Sequence, residues 1–214
     1  MFLYALVFST IASGIDWCAT SEDSIQRTMS AIQHKMRTKT CSGALAKLST
    51  RRSIDLSRME LTDVRPLSEQ RQLRMILLRQ NDISDLSPLS NLDELKWLDI
   101  GENPISDLSP LASLVSLETL WIESPEVKDI KPLKGLRKLK YLSLRNCNVT
   151  DVTPLGKLKN LVFLGIANNN VSDFRPLRKL KGIRSLDLYR NPIKSCPKKG
   201  VRHWRFKCTK SMEQ

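Results

Sequence analysis

The chain has 214 residues, 41% of them apolar, which suits one domain with a continuous core provided the apolar positions are patterned. Lys and Arg outnumber Asp and Glu by 35 to 22, a formal charge of +13 that favours anionic partners or surfaces. Only two histidines occur, His34 and His203, and neither has an evident nucleophile beside it, which leaves imidazole-based catalysis little to work with.

The charge is segregated. Residues 128–184 carry fourteen Lys or Arg and only three acids, Asp129, Asp151 and Asp173, and residues 185–214 add eight against two. Residues 1–127 are mildly acidic by comparison. The opening MFLYALVFSTIASG is uncharged, apolar from Phe2 to Ala12, and ends in the small residues Ala12, Ser13 and Gly14. It reads as a secretory signal over residues 1–14, with cleavage between about 12 and 19. The run is shorter than the roughly twenty apolar residues that cross a bilayer, so no transmembrane span is expected in the mature chain. Lipid attachment at Cys18 is the second reading, because Asp16 and Trp17 are not the small residues that precede such a cysteine. Residues 15–50 read as an N-terminal cap: within 21–38, Ile25, Met29, Ile32 and Met36 share one helical face behind a Ser/Asp-rich start.

Residues 51–195 hold about seven copies of a 22-residue unit. Leu73, Leu95, Leu117, Leu139, Leu161 and Ile183 recur at that interval, each followed by apolar residues three and five positions on, as in Leu95, Leu98 and Ile100. Three positions later come Asn81, Asn103, Asn169 and Asn191, with Pro125 and Cys147 in the same slot of two units. The second half of each unit repeats Asp-x-x-Pro-Leu, from Asp85–Leu89 to Asp173–Leu177. An earlier divergent copy runs through Ile54, Leu56, Met59, Leu61, Asp63, Val64, Pro66 and Leu67. Alternation over a short strand sends Leu98 and Ile100 into the core and Trp97, Asp99 and Gly101 to the opposite, concave face. A buried Asn at the strand's end supplies both donor and acceptor to neighbouring coils, which Cys does weakly and Pro does not, so the unit from 117 to 138 should be irregular. The Pro turns the chain back toward the next strand.

The run Asn-x-Ile-Ser-Asp-Leu-Ser-Pro-Leu, at 81–89 and again at 103–111, is similar to the repeats of bacterial internalin-type leucine-rich-repeat proteins. The resemblance spans roughly 53–196 and implies an α/β leucine-rich-repeat solenoid. The expected architecture has short parallel strands on the concave face and an irregular or 3-10 convex side, and the residues add a helical N-terminal cap and a disulfide-tied C-terminal cap. For function it implies recognition of a host-cell receptor through the concave face. A similar 22-residue repeat occurs in the intracellular regulatory subunit of protein phosphatase 1, so an intracellular scaffold or regulatory subunit is the alternative.

A solenoid exposes core at both ends and needs caps. At the C-terminal end, residues 196–214 offer Val201, Trp204 and Phe206 to cover the last coil. Of five cysteines, Cys147 occupies the inward Asn slot, leaving one pair at each cap. Two disulfides are expected, Cys18–Cys41 and Cys196–Cys208, with Cys147 a buried thiol; five reduced cysteines is the alternative for a cytosolic chain.

The outward strand positions form the expected partner-binding face: Met75, Leu77, Arg79, Trp97, Asp99, Trp121, Glu123, Tyr141, Arg145, Phe163 and Tyr189. Aromatic residues ringed by charge resemble the hot spots of protein interfaces. The basic residues fall between the Pro-Leu step and the next strand: Lys134, Arg137, Lys138, Lys140, Lys157, Lys159, Arg178, Lys179, Lys181 and Arg184. They should line the side or convex surface, either as a solvated face or as an attraction to an anionic polymer or membrane surface. Nucleic acid ranks below these, since the chain reads as exported and carries no motif for it. No enzyme activity, metal or cofactor is expected: Ser195–Lys198 lacks companion motifs, and Cys196, His203 and Cys208 fit no common zinc spacing.

Overall fold

The computed structural model describes residues 16–193. Seven strands, β1 (Ser53–Asp55), β2 (Met75–Leu77), β3 (Trp97–Asp99), β4 (Thr119–Ile122), β5 (Tyr141–Leu144), β6 (Phe163–Gly165) and β7 (Ser185–Asp187), form one parallel sheet in chain order. Every paired residue lies 22 positions from its partner, as in Leu98 beside Leu120 and Leu120 beside Leu142, so the sequence period is the strand register itself. The inward residues of each coil, among them Leu95, Leu98, Ile100, Ile105, Leu108, Leu111 and Leu114, are buried in a core that runs the length of the stack.

On the far side each Pro lies near the start of a 3-10 turn: Arg65–Leu67, Ser87–Leu89, Ser109–Ser113, Lys131–Gly135, Thr153–Lys157 and Arg175–Lys179. The Asp of each Asp-x-x-Pro explains the entry. Oδ1 of Asp85, Asp107, Asp129 and Asp151 accepts the N–H two residues on at 2.8 Å, folding the chain into the turn that Pro then continues. The side chains and amides of Ser109, Thr153 and Arg175 hold the Asp107, Asp151 and Asp173 carboxyls below the usual carboxylate range.

The Asn ladder stitches coils together. Asn81 Nδ2 donates to the carbonyls of Leu56 and Leu78 at 3.0 and 2.8 Å, and its Oδ1 accepts from the N–H groups of Met59 and Leu61, both at 3.0 Å. The residue before this slot takes the left-handed conformation at Arg58, Gln80, Glu102, Asn146, Asn168 and Arg190. Ser124 breaks the series. It stays out of that conformation and is buried, while Pro125 in the Asn slot is exposed. The Ser124 hydroxyl donates to the Ile105 carbonyl at 2.8 Å, a coil-to-coil bond that in other units comes from the backbone N–H just after the Asn slot, as from Asp82 to Leu61. Cys147 is buried and unbridged, with a long contact from Sγ to the Arg145 carbonyl at 3.5 Å; burial pushes its thiol up to about 11 against an opposing hydrogen bond with the Ser124 backbone.

At the N-terminal end α1 (Asp23–Met36) buries Ile25, Met29, Ile32 and Met36, the four residues aligned by the helical spacing. Buried Thr28 donates its hydroxyl to the Asp63 carbonyl, and Arg65 pairs with Asp63 at 2.6 Å and with Glu22, joining the cap to the first turn. A second helix, α2 (Cys41–Ser49), was not anticipated; Thr40 caps it by accepting the Gly43 N–H at 3.2 Å. Cys18 and Cys41 are bridged, tying the chain ahead of α1 to the first residue of α2. Among the described residues no helix is long and apolar enough to cross a membrane. The signal reading of residues 1–14, the Cys196–Cys208 bridge and the C-terminal cap of 196–214 lie outside the described residues.

Candidate partner-binding face

Residues that alternate away from the core along the strands line the concave surface. In one register column stand Met75, Trp97, Thr119, Tyr141, Phe163 and Ser185, and in the next Leu77, Asp99, Trp121, Ser143, Gly165 and Asp187. Trp97, Trp121 and Tyr141 are 37%, 38% and 46% exposed, a large apolar outlay in slots from which packing asks nothing. The Trp97 and Trp121 rings meet edge to face with centroids 5.6 Å apart. Phe163 stands beside Tyr141 in register and shares with Trp121 a hollow of about 260 Å³, bordered by Arg79, Glu123, Ser143 and Arg145. Met75, Leu77 and Tyr189 are half-buried, and Arg190 lies over the Tyr189 ring.

Two arginines frame this patch, each reaching two coils along. Arg79 pairs with Glu102 and, at 2.6 Å, with Glu123. It passes over Gly101, where any Cβ would press on Arg79 Nη1 and make the guanidinium shift from this path. Arg145 pairs with Asp187 at 2.5 Å, passing Gly165, where a Cβ would lie 3.4 Å from Arg145 Nε. Burial works against the Arg79 guanidinium but is outweighed by Glu123 and Glu102, which hold it above its ordinary range. The network continues: Gln80 donates to Glu102 at 2.6 Å, Asn146 donates to Glu123, and Asn168 donates to Asn146 at 2.5 Å.

Two outward slots depart from expectation. Asp99 is only 5% exposed and does not present itself to a partner. It accepts the Gly101 N–H at 3.0 Å beside Arg79; burial pushes its carboxyl up, and the Gly101 N–H and Arg79 oppose that shift without cancelling it. Thr119 is likewise buried. The charged frame also contains Glu102, Asn146, Asn168 and Asp187, which were not among the expected site residues. The signal for three of them is the left-handed slot just before each Asn position, which projects a polar side chain along the rim.

The ten basic residues of the later coils are all exposed. Lys140 pairs with Glu118 at 2.6 Å, and Arg178 lies 5.4 Å from the Phe174 ring. Lys159 Nζ donates to the carbonyls of Gly156 and Lys179 at 2.9 and 3.1 Å. Lys134, Arg137, Lys138, Lys157, Lys179, Lys181 and Arg184 take no part in the ion pairs of the described residues.

The Leucine Rich repeats (2 copies) family matches residues 93–135 and 137–179. No curated protein matches the sequence. Among solved structures the chain is similar to an internalin (inlF) from Listeria monocytogenes, with a TM-score of 0.68 and 25% identity over 79% of this chain. It is also similar to an internalin C2 (inlC2) from the same organism, with a TM-score of 0.65 and 25% identity over 86% of this chain. The match takes in 92% of the second structure but only 57% of the first. With the period, the parallel register and the N-terminal cap in place, the chain carries leucine-rich repeats and is similar in fold to the internalins.

Proposed function

We propose that the chain is an exported, non-enzymatic recognition module that grips a protein partner with its concave face, while its basic later coils add an attraction to anionic surfaces. The observation that carries this reading is the exposed Trp97–Trp121–Tyr141 group held between two locked arginine bridges. Rigid aromatic anchors beside ordered charges are what a binding hot spot needs, because little side-chain entropy remains to be lost on association. Export is supported by the Cys18–Cys41 bridge, a bond favoured in oxidising compartments, and by the apolar opening of the sequence.

One experiment tests both parts. The chain expressed from Met1 is expected outside the cytoplasm with its N-terminus between about residues 13 and 20. As bait it should capture a partner that the Trp121→Ala/Tyr141→Ala variant does not. That variant should keep its fold and melt within a few degrees of wild type. Partner capture undiminished by the double substitution sinks the concave reading, and an intact Met1 in the cytoplasm moves the chain to the intracellular-scaffold alternative.

A further inference from the structure

On the flank of the later coils, Arg137, Lys157, Lys159 and Lys179 wall a cleft with Asn160, and Gly156 lies at its floor. Two register slots build it. One holds Arg137, Lys159 and Lys181 in successive coils, and the other holds Lys157 and Lys179. The same slots in earlier coils hold Asp93 and Val115, or Asn91 and Ser113, so the repeat does not impose the charge. The ion pairs of the surrounding coils are Lys131–Asp129, Lys140–Glu118, Arg145–Asp187 and Arg175–Asp173, and none of them involves a cleft cation.

Residues in one slot of adjacent coils stand on backbones roughly 5 Å apart, so like charges there repel. One of these cations is held in place. Lys159 is fixed across the cleft by the Gly156 and Lys179 carbonyls, and Asn160 Nδ2 donates to the Arg137 carbonyl at 2.7 Å. Gly156 leaves a gap between Lys134 and Arg178 in its own slot, and a Cβ there would lie 3.0 Å from the Pro176 carbonyl oxygen. A set of neighbouring cations outside the ion pairs of the described residues is stabilised by an anion that lies among them.

We infer that this cleft binds a linear sulfated polysaccharide. The inference deepens the anionic-surface part of the proposed function and takes its extracellular setting from it. A run of cations that crosses adjacent coils matches an elongated anionic chain laid along it. The carbonyls of Arg137, Gly156 and Lys179 already accept from cleft side chains and keep a second lone pair each, so they suit a ligand that donates hydroxyl hydrogens as well as carrying anions. A polyphosphate offers only acceptors. The cleft lining holds no aromatic ring on which a nucleic-acid base would stack.

The test is a titration of the full chain with a fluorescent heparin oligosaccharide between ~50 and ~200 mM salt. Lys157→Gln/Lys179→Gln removes two cleft charges without touching a hydrogen bond of the fold, and should weaken binding about tenfold and flatten the log–log salt slope by about 2. Lys39→Gln/Arg51→Gln changes the net charge equally at the other end of the molecule and should stay within about twofold of wild type. Equal losses in the two variants overturn the cleft in favour of net charge alone. Tighter binding of polyphosphate or of phosphatidylcholine–phosphatidylserine vesicles than of heparin overturns the polysaccharide. The Trp121→Ala/Tyr141→Ala variant should bind heparin like wild type, so failure of the concave reading and failure of this one are separable.

Discussion

Asn169 donates to the carbonyls of Leu144, Ile166 and Ala167 at 2.6, 3.0 and 3.2 Å and accepts the Val149 N–H at 3.0 Å, joining two coils inside the core. Removing a buried side chain that satisfies several backbone groups leaves each of them desolvated, so Asn169→Ala should cost about 3 kcal/mol. In a thermal melt followed by circular dichroism that is a fall of roughly 6–12 °C. Cys147→Ala, at the same slot one coil earlier, should cost only about 1 kcal/mol, because the thiol fills space but a sulfur makes only weak hydrogen bonds. Equal losses at the two positions would mean that the ladder owes its stability to volume and not to hydrogen bonding. The residue types at this slot were legible in the sequence, and so was the expectation that the coil without Asn is irregular. What the repeat pattern hid was Ser124. A serine one position early looks like any rim residue until the backbone leaves the left-handed conformation and turns it inward.

The two caps-and-coils elements differ in how plainly they announce themselves. Ile25, Met29, Ile32 and Met36 mark α1 over a full amphipathic face. In α2 only Ala44 and Leu48 are buried, one turn apart, and Gly43 lowers the helix propensity, so nine residues carried too little periodicity to be read. The strand elements behaved oppositely: alternation placed Trp97, Trp121 and Tyr141 on the concave face at once, but the Arg79–Glu123 and Arg145–Asp187 pairs skip a coil, and no local pattern announces them. The Cys18–Cys41 bridge belongs to the cap as an element, since it closes a separation of 23 residues around α1. By the chain-entropy account a loop of that size is worth about 3 kcal/mol. Cys18→Ser/Cys41→Ser should therefore lower the melting midpoint by several degrees, and hydrogen exchange should rise first in α1 and α2. Uniform loosening along all seven coils would show instead that the cap and repeats melt as one unit.

At the scale of the molecule, strand and turn packing runs between successive coils, with the Arg79–Glu123 and Arg145–Asp187 bridges the side-chain links that skip one, so stability should behave nearly as a sum over coils and interfaces. Excising residues 137–158 tests this directly. The cut removes one whole 22-residue period and joins Leu136 to Lys159, which occupies the same slot as Arg137. Register then carries across the junction: Leu120 of β4 faces Leu164 of β6, and Trp121 faces Gly165, while six strands remain, more than the three or so that a stack needs. The shortened chain should fold with a lower midpoint but an unchanged type of far-UV spectrum. It should also lose partner capture, because Tyr141 and Arg145 leave the concave face. Excising only residues 137–147 removes β5 but keeps the turn that follows it, so that the sheet has no strand to continue on and Val149 and Val152 lose their place in the core. That chain should show no cooperative melt. If both deletions unfold alike, the coils are not independent units, and neither the concave face nor the basic cleft can be treated as a site assembled coil by coil.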